Sequence, residues 1–370
     1  MIIYFAITTC SVLLAVVGNH FGSKSNTIKS LMLLASALLF CFFAGSRALE
    51  VGSDTAGYGF QSYYEAHSLN LETFYFSSTF REWAPLFKLL CWFSSAFSDN
   101  IFWYLFAIQL ATVLPLYYAL CRSLDRYMPF GLFVYGIVFF PMSFNLMRQM
   151  ISMSFLLLAI IEANDKKPLR FLFWILIAMG FHNSALIGVY LYPIIYYITT
   201  VGGSFSRGPR VLIFIVLNTA LISAAPQILQ FTDSIGFYSA YTSGSGVASG
   251  GGMRTIVLTF FILIAISFIG AILVKGTERR TKLSEAGLVA VVVFGMICLP
   301  LSLISFWLYR IGFYFLYAAI LAIPNCAYQI KDNTSRFSFL FFCGALLLFW
   351  SYNYYVIQGS HQVIPYLFAS

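Results

Sequence analysis

Charge is what this chain has least of. Asp, Glu, Lys and Arg make up only 9% of its 370 residues, against 60% hydrophobic and 19% aromatic residues. Mean hydropathy is +0.85. That balance excludes a soluble globular domain. There is no P-loop, no dinucleotide fingerprint and no HExxH metal site. A GxSxG nucleophile elbow is also missing. A nucleotide-driven reaction and a zinc hydrolase therefore have no sequence support. The seven cysteines all lie in apolar runs without metal-ligand spacing, and read as small packed hydrophobes. The first run, MIIYFAITTCSVLLAVVG, has no basic leader and no small-residue cleavage site. It reads as a first transmembrane helix and not as a removable signal peptide.

What the chain does have is a series of apolar runs about as long as the roughly 20 residues that cross a bilayer as a helix. Alternating segments are too few for a transmembrane barrel. The runs predict helices over 1–18, 30–45, 101–121, 129–144, 146–163, 170–182, 184–200, 211–229, 254–274, 286–307, 310–328 and 338–356. The expected fold is an all-α integral membrane protein in a single domain over 1–370, with about 12 transmembrane helices. Run 83–98 is short and carries Lys88, and reads as re-entrant or interfacial.

The net charge of +8 is not spread in the manner of a nucleic-acid binder. With these helices, Lys24 and Lys29, Arg122 and Arg126, Lys166, Lys167 and Arg170, Arg207 and Arg210, Lys275, Arg279, Arg280 and Lys282, and Lys331 and Arg336 fall on one side. By the positive-inside rule that side is cytoplasmic. Arg47, Arg81, Lys88, Arg148, Arg254 and Arg310 remain, biased to the outer side, where topology does not require them. Snorkelling at helix ends accounts for one or two. A shared anion site accounts for the arginines, whose planar fork bonds two phosphate oxygens at once.

Two outer loops stand out. Segment 46–82 carries Glu50, Asp54, Glu65, Glu72 and Glu82 among aromatic and hydroxyl side chains. That mixture suits a sugar, and equally an interfacial aromatic belt. Segment 230–253 contains SGSGVASGGG, a flexible linker or a mobile gate. Polar residues also collect at the outer ends of helices. Asn145, Arg148 and Gln149 are spaced i, i+3, i+4 and are expected to share one helix face. Phe181-His182-Asn183-Ser184 forms a tight outer turn, and Arg310 stands four residues before Tyr314.

The sequence resembles the EpsG-like branch of the Wzy-type polysaccharide polymerases. Carrying the resemblance are Arg47 with Gly52-Ser53-Asp54 and Tyr58, then Glu82-Trp83-Ala84-Pro85-Leu86-Phe87, Phe144-Asn145-Leu146-Met147-Arg148-Gln149, Phe181-His182-Asn183-Ser184-Ala185-Leu186, and Arg310 with Tyr314. They occur in the family's order over roughly residues 40–320. The family pattern often has a basic residue after the histidine, where this chain has Asn183.

The resemblance implies a GT-C-like polytopic bundle in a bacterial inner membrane, with its active site facing the periplasm. It implies a metal-independent glycosyltransferase without a cofactor. Such an enzyme joins undecaprenyl-diphosphate-linked oligosaccharide repeat units into O-antigen or a related surface polysaccharide and releases undecaprenyl diphosphate. The expected partners are the lipid-linked donor and acceptor, membrane lipid and a chain-length regulator protein. In that scheme Arg148 and Arg310 bind the diphosphate, assisted by Arg47 or Arg254. The base is Asp54, Glu82 or His182, with Asp54 ahead. Asn145, Gln149, Tyr58 and Tyr314 support the site. Other classes compatible with the residues are a flippase of the same unit, an O-antigen ligase and, with least support, a membrane O-acyltransferase.

Overall fold

The computed structural model describes residues 1–22, 25–96, 98–124, 127–200, 283–303 and 310–369, together with Ile213, Val216, Ala220, Thr259, Ile262 and Ile266. Apart from those six positions, the expected helices at 211–229 and 254–274 lie outside these residues, as do the loop 230–253 and Arg254. Helices α1 (Ile2–Phe21) and α2 (Asn26–Gly45) each have 20 residues. At 1.5 Å per residue that is about 30 Å, the thickness of the hydrocarbon layer. The Ser25 side chain caps α2 by accepting from the Ile28 N–H.

Segment 46–82 is not an open cap. It contains a π-helical turn at Thr55–Gly59, then α3 (Phe60–Ser68) and α4 (Leu71–Tyr75), followed by α5 (Pro85–Ala96). Phe74, Phe80, Phe87 and Tyr104 build a second apolar core beneath it, shared with Met147 and Ile151. At 12 residues α5 is about 18 Å long, too short to span. His67 of α3 contacts the Ser95 carbonyl near one end of α5, and Trp92 Nε1 donates to the Leu69 carbonyl. Helix α5 thus lies along the loop helices and not across a bilayer.

Helix α6 (Ile101–Ser123) leads to α7 (Met128–Val134), a π-helical stretch Tyr135–Phe139 and the short α8 (Phe140–Met142). The chain then turns through 143–146 into α9 (Met147–Asn164), α10 (Pro168–Phe181), a 3₁₀ run Asn183–Tyr190 and α11 (Leu191–Thr200). After the undescribed stretch come α12 (Glu285–Cys298), α13 (Arg310–Leu316), α14 (Ala319–Gln329) and α15 (Asn333–Ser351). Among the described residues five helical runs are long and apolar enough to cross a membrane: Ile2–Phe21, Asn26–Gly45, Ile101–Ser123, Arg310–Gln329 and Asn333–Ile357. Three shorter apolar runs accompany them, Met128–Met142, Pro168–Phe181 and Glu285–Leu301. The architecture is all-α and of membrane type.

Helix α9 is the axis of the bundle. Between its first residue and Ala163 only Arg148 and Phe155 are not fully buried. It packs on α6, α10 and α11. Surrounded by protein, it tolerates serines that bond its neighbours. Ser152 Oγ donates to the Ala178 carbonyl at 2.7 Å, and Ser154 Oγ meets Tyr317 Oη at 2.9 Å. Its far end holds buried Glu162, paired with Arg122, which also reaches Asp165 at 3.3 Å. Arg148 and Glu162 stand about 21 Å apart along the axis.

Helices α12 and α13 touch backbone to backbone. A Cβ on Gly295 would sit 2.8 Å from Leu316 N and 2.9 Å from Gly312 O, and one on Gly312 would sit 2.8 Å from Gly295 O. This contact sets where α13 presents Arg310. Gly295→Val is expected to lose roughly 1–3 kcal/mol through overpacking, read as a lower unfolding midpoint of the full chain in detergent. An unchanged midpoint contradicts the close crossing.

Candidate active site

The N-terminal end of α9 gathers polar residues from four stretches of chain. Asp54 stands at the start of the π-helical turn, and Tyr58, near its end, hydrogen-bonds the Asp54 carboxylate. Arg148 lies on the first turn of α9, with its guanidinium 5.0 Å over the Tyr58 ring and 4.6 Å over the Trp83 ring. Two aromatic faces hold this cation away from lipid. Arg310 opens α13, and its carbonyl accepts from Gln149 Nε2 at 2.7 Å. His182 ends α10.

Electrostatics bind these groups into one site. Burial pushes the Asp54 carboxyl above its ordinary range, opposed by Arg310, the Tyr58 hydrogen bond and Arg148. The Tyr58 phenol is raised by burial and then by Asp54, so it remains the donor. His182 is lowered to about 3 by burial, then by Arg148 and Arg310. A neutral imidazole beside two guanidiniums accepts or donates a hydrogen bond but takes up a proton poorly. Between Asp54 and His182, Asp54 is therefore the one whose affinity for protons is enhanced.

Asn145 holds the Asp54 loop. It lies in the turn before α9 and not on the helix, so the expected common face with Arg148 and Gln149 does not form. The turn is tight because both Asn145 N and Leu146 N donate to the Met142 carbonyl. From there Asn145 Oδ1 accepts from the Asp54 N–H at 3.1 Å and from Ser53 Oγ. The loop passes so close that a Cβ on Gly52 would lie 2.7 Å from the Phe144 carbonyl oxygen, and Gly52 has φ +91°. Only glycine suits that backbone at that distance.

The remaining sequence candidates fall elsewhere. Arg47 is buried with its donors engaged by the fold, Nη1 to the Ala44 carbonyl and Nε to Thr55 Oγ1 at 3.2 Å. Its guanidinium also covers the Phe144 ring at 4.3 Å. Through Thr55 it is tied to the segment that carries Asp54. Glu82 is exposed, and its carbonyl accepts from Asn183 Nδ2 at 3.1 Å, which ties the loop to the turn after His182. Lys88 is buried and donates to the Tyr75 carbonyl at 2.9 Å. Tyr314 is buried and meets Ser184 Oγ at 2.8 Å, joining α13 to the 3₁₀ run. Among the described residues no group of three or more His, Cys, Asp or Glu is placed to hold a metal ion.

One site residue has no counterpart among the sequence candidates. His361, in the C-terminal tail, places Nδ1 2.6 Å from Asn145 Nδ2 and Nε2 3.0 Å from Tyr354 Oη. It follows the last apolar run in the stretch Gly359-Ser360-His361. Its partner lies 216 residues earlier in the chain.

A family model described as the EpsG family matches residues 30–368. The chain belongs to the EpsG family. No curated protein and no solved structure matches it. EpsG proteins are Wzy-like polymerases, so the chain has a polysaccharide-polymerase-like role in a multi-pass membrane protein. The matched span takes in Asp54, Arg148, His182, Arg310 and His361. In this EpsG protein the Asp54 loop depends on Gly52. Gly52→Ala is expected to destabilise the fold by about 1 kcal/mol or more, because φ is positive and the added methyl meets backbone. The unfolding midpoint in detergent checks this, and a wild-type midpoint contradicts it.

Proposed function

We propose that this EpsG protein is a glycosyltransferase that polymerises undecaprenyl-diphosphate-linked oligosaccharide units at the periplasmic face of a bacterial inner membrane. The observation that carries this reading is the single cluster of Arg148, Arg310 and Asp54 at one end of the buried helix α9. Two guanidiniums suit a diphosphate, and a half-buried carboxylate within their field suits a proton. An apolar cavity of about 50 Å³ lined by Phe139, Met142, Phe313 and Leu316 borders α13, the helix that begins with Arg310.

In the proposed reaction an acceptor hydroxyl of one unit attacks the anomeric carbon of another. The oxygen's electron pair forms the new glycosidic bond. The bond from the anomeric carbon to the diphosphate oxygen breaks, and its pair leaves with undecaprenyl diphosphate. Asp54 takes the hydroxyl proton. Arg148 and Arg310 balance the charge that grows on the leaving diphosphate, where preorganised cations act most strongly. Tyr58, hydrogen-bonded to Asp54, orients the carboxylate, and His182 stays neutral beside the arginines. A chain-length regulator is the proposed protein partner.

The test is the surface-glycan ladder of a strain lacking this gene, complemented with variants at matched protein level. Deletion should leave a single capped repeat unit. Loss of every unit would mark a ligase, and units trapped on the cytoplasmic side would mark a flippase. Arg148→Lys loses the fork and the ring stacking and should reduce polymerisation roughly 10²–10³-fold. A normal ladder with lysine contradicts the diphosphate role. Asp54→Asn should leave short chains, and full-length chains contradict its role as base.

Acid pH adds a further check. A buried carboxyl that holds its proton more tightly than usual loses its basic form as pH falls, earlier than a free carboxylate. Polymerisation should therefore be maximal above the raised Asp54 value and decline on acidification through it. A rate flat through the ordinary carboxylate range and above contradicts the assignment.

A further inference from the structure

The C-terminal tail folds back over the candidate active site. Gly52 N donates to the Gln362 carbonyl at 2.9 Å, Ala48 N to Leu367 at 2.8 Å, and Ala369 N to Ser46 at 2.9 Å. Arg47 and Phe368 form an isolated antiparallel bridge. Tyr4 Oη donates to the Val363 carbonyl at 2.8 Å. The tail thus lies along residues 46–52, the segment that leads into Asp54.

Its backbone is unusual where it meets the site. Gly359, His361 and Gln362 have φ of +62°, +66° and +52°. Two of these are not glycine, and such residues cost on the order of 1–3 kcal/mol each unless their surroundings hold them. The conformation presents the His361 ring to Asn145.

Hydrogen-bond logic then settles the state of both side chains. The Asp54 backbone N–H can only donate, so the Asn145 atom facing it is the oxygen. The atom facing His361 is therefore the amide nitrogen, which donates to His361 Nδ1. The imidazole must carry its proton on Nε2, facing Tyr354 Oη. If the amide turned over, its NH₂ would face the Asp54 N–H, donor against donor. An acceptor at the Nδ1 position forbids that turn.

We infer that His361 is a positioning residue for the glycosyl transfer, holding the Asn145 amide in the one orientation that fixes the Asp54 loop. The inference rests on the proposed function. His361 touches the Asp54 loop only through Asn145, and a loose loop misplaces the carboxylate. Burial and Arg310 keep the imidazole's proton affinity low, with a value near 3, which is consistent with the neutral form the geometry needs.

The test uses the purified full-length chain in liposomes, with lipid-linked repeat units extracted from the deletion strain as substrate. Wild type must polymerise them; if it does not, the proposed function fails and not this inference. His361→Ala should lower kcat about tenfold or more with KM within about twofold, since a misplacement near 1 Å can cost on the order of 10²-fold. His361→Asn keeps an acceptor at the Nδ1 position and should restore most of the rate. His361→Gln carries its acceptor at the Nε2 position and should behave as alanine does. Comparison of these two amides stands even where alanine does not fold. Wild-type kcat in the alanine variant, equal rates for Asn and Gln, or a loss confined to KM overturns the inference.

Discussion

A guanidinium in an apolar chain has to be kept out of lipid, and most of this fold follows from how that is done for Arg148. Its helix is enclosed on its flanks by α6, α10 and α11. Its charge rests against the rings of Tyr58 and Trp83. Those rings belong to residues 46–83, a segment that folds back onto α9 over an apolar core of Phe74, Phe80 and Phe87. The loop brings Asp54 with it, and Asp54 offsets part of the positive field that Arg148 and Arg310 create together. Serines in place of larger apolar residues let the neighbours come close enough to keep α9 covered.

The ends of α9 do different things. One end carries the arginine and the loop carboxylate. The other carries Glu162, whose pairing with Arg122 neutralises a buried charge and links α6 to α9. The chain after α9 reinforces this polarity. Lys167 pairs with Asp165 at 2.9 Å, close to the Arg122–Asp165 contact. A reaction that draws on a lipid-linked, already activated donor needs this kind of asymmetry. Its polar chemistry sits at one depth, and apolar walls continue below it.

Much of the architecture was legible because hydrophobic run length maps directly onto helix length. Helices over 101–121 and 146–163 were expected and occur as Ile101–Ser123 and Met147–Asn164. The irregular pieces were not legible. The π-helical stretch Tyr135–Phe139 and the 3₁₀ run Asn183–Tyr190 depend on packing partners remote in sequence. For the site, spacing marked Asn145, Arg148 and Gln149 as a group, yet it assumed a helix where a tight turn precedes α9. For Arg47 and Lys88 the charge is visible in the sequence and the burial is not. Both are held by carbonyls of nearby backbone. His361 was invisible for the opposite reason. Nothing near it in the chain signals chemistry, and its meaning comes from a contact with a residue 216 positions earlier.

The central claim is that the Asp54, Arg148 and Arg310 cluster transfers a glycan and expels a polyprenyl diphosphate. The most direct measurement is the stoichiometry of that expulsion. Purified full-length protein in liposomes is given lipid-linked repeat units from the deletion strain, with no nucleotide and no other enzyme. Released undecaprenyl diphosphate and new glycosidic bonds are counted together. The account predicts one diphosphate released per bond formed. Movement of intact units across the bilayer with neither bond formation nor release would contradict it.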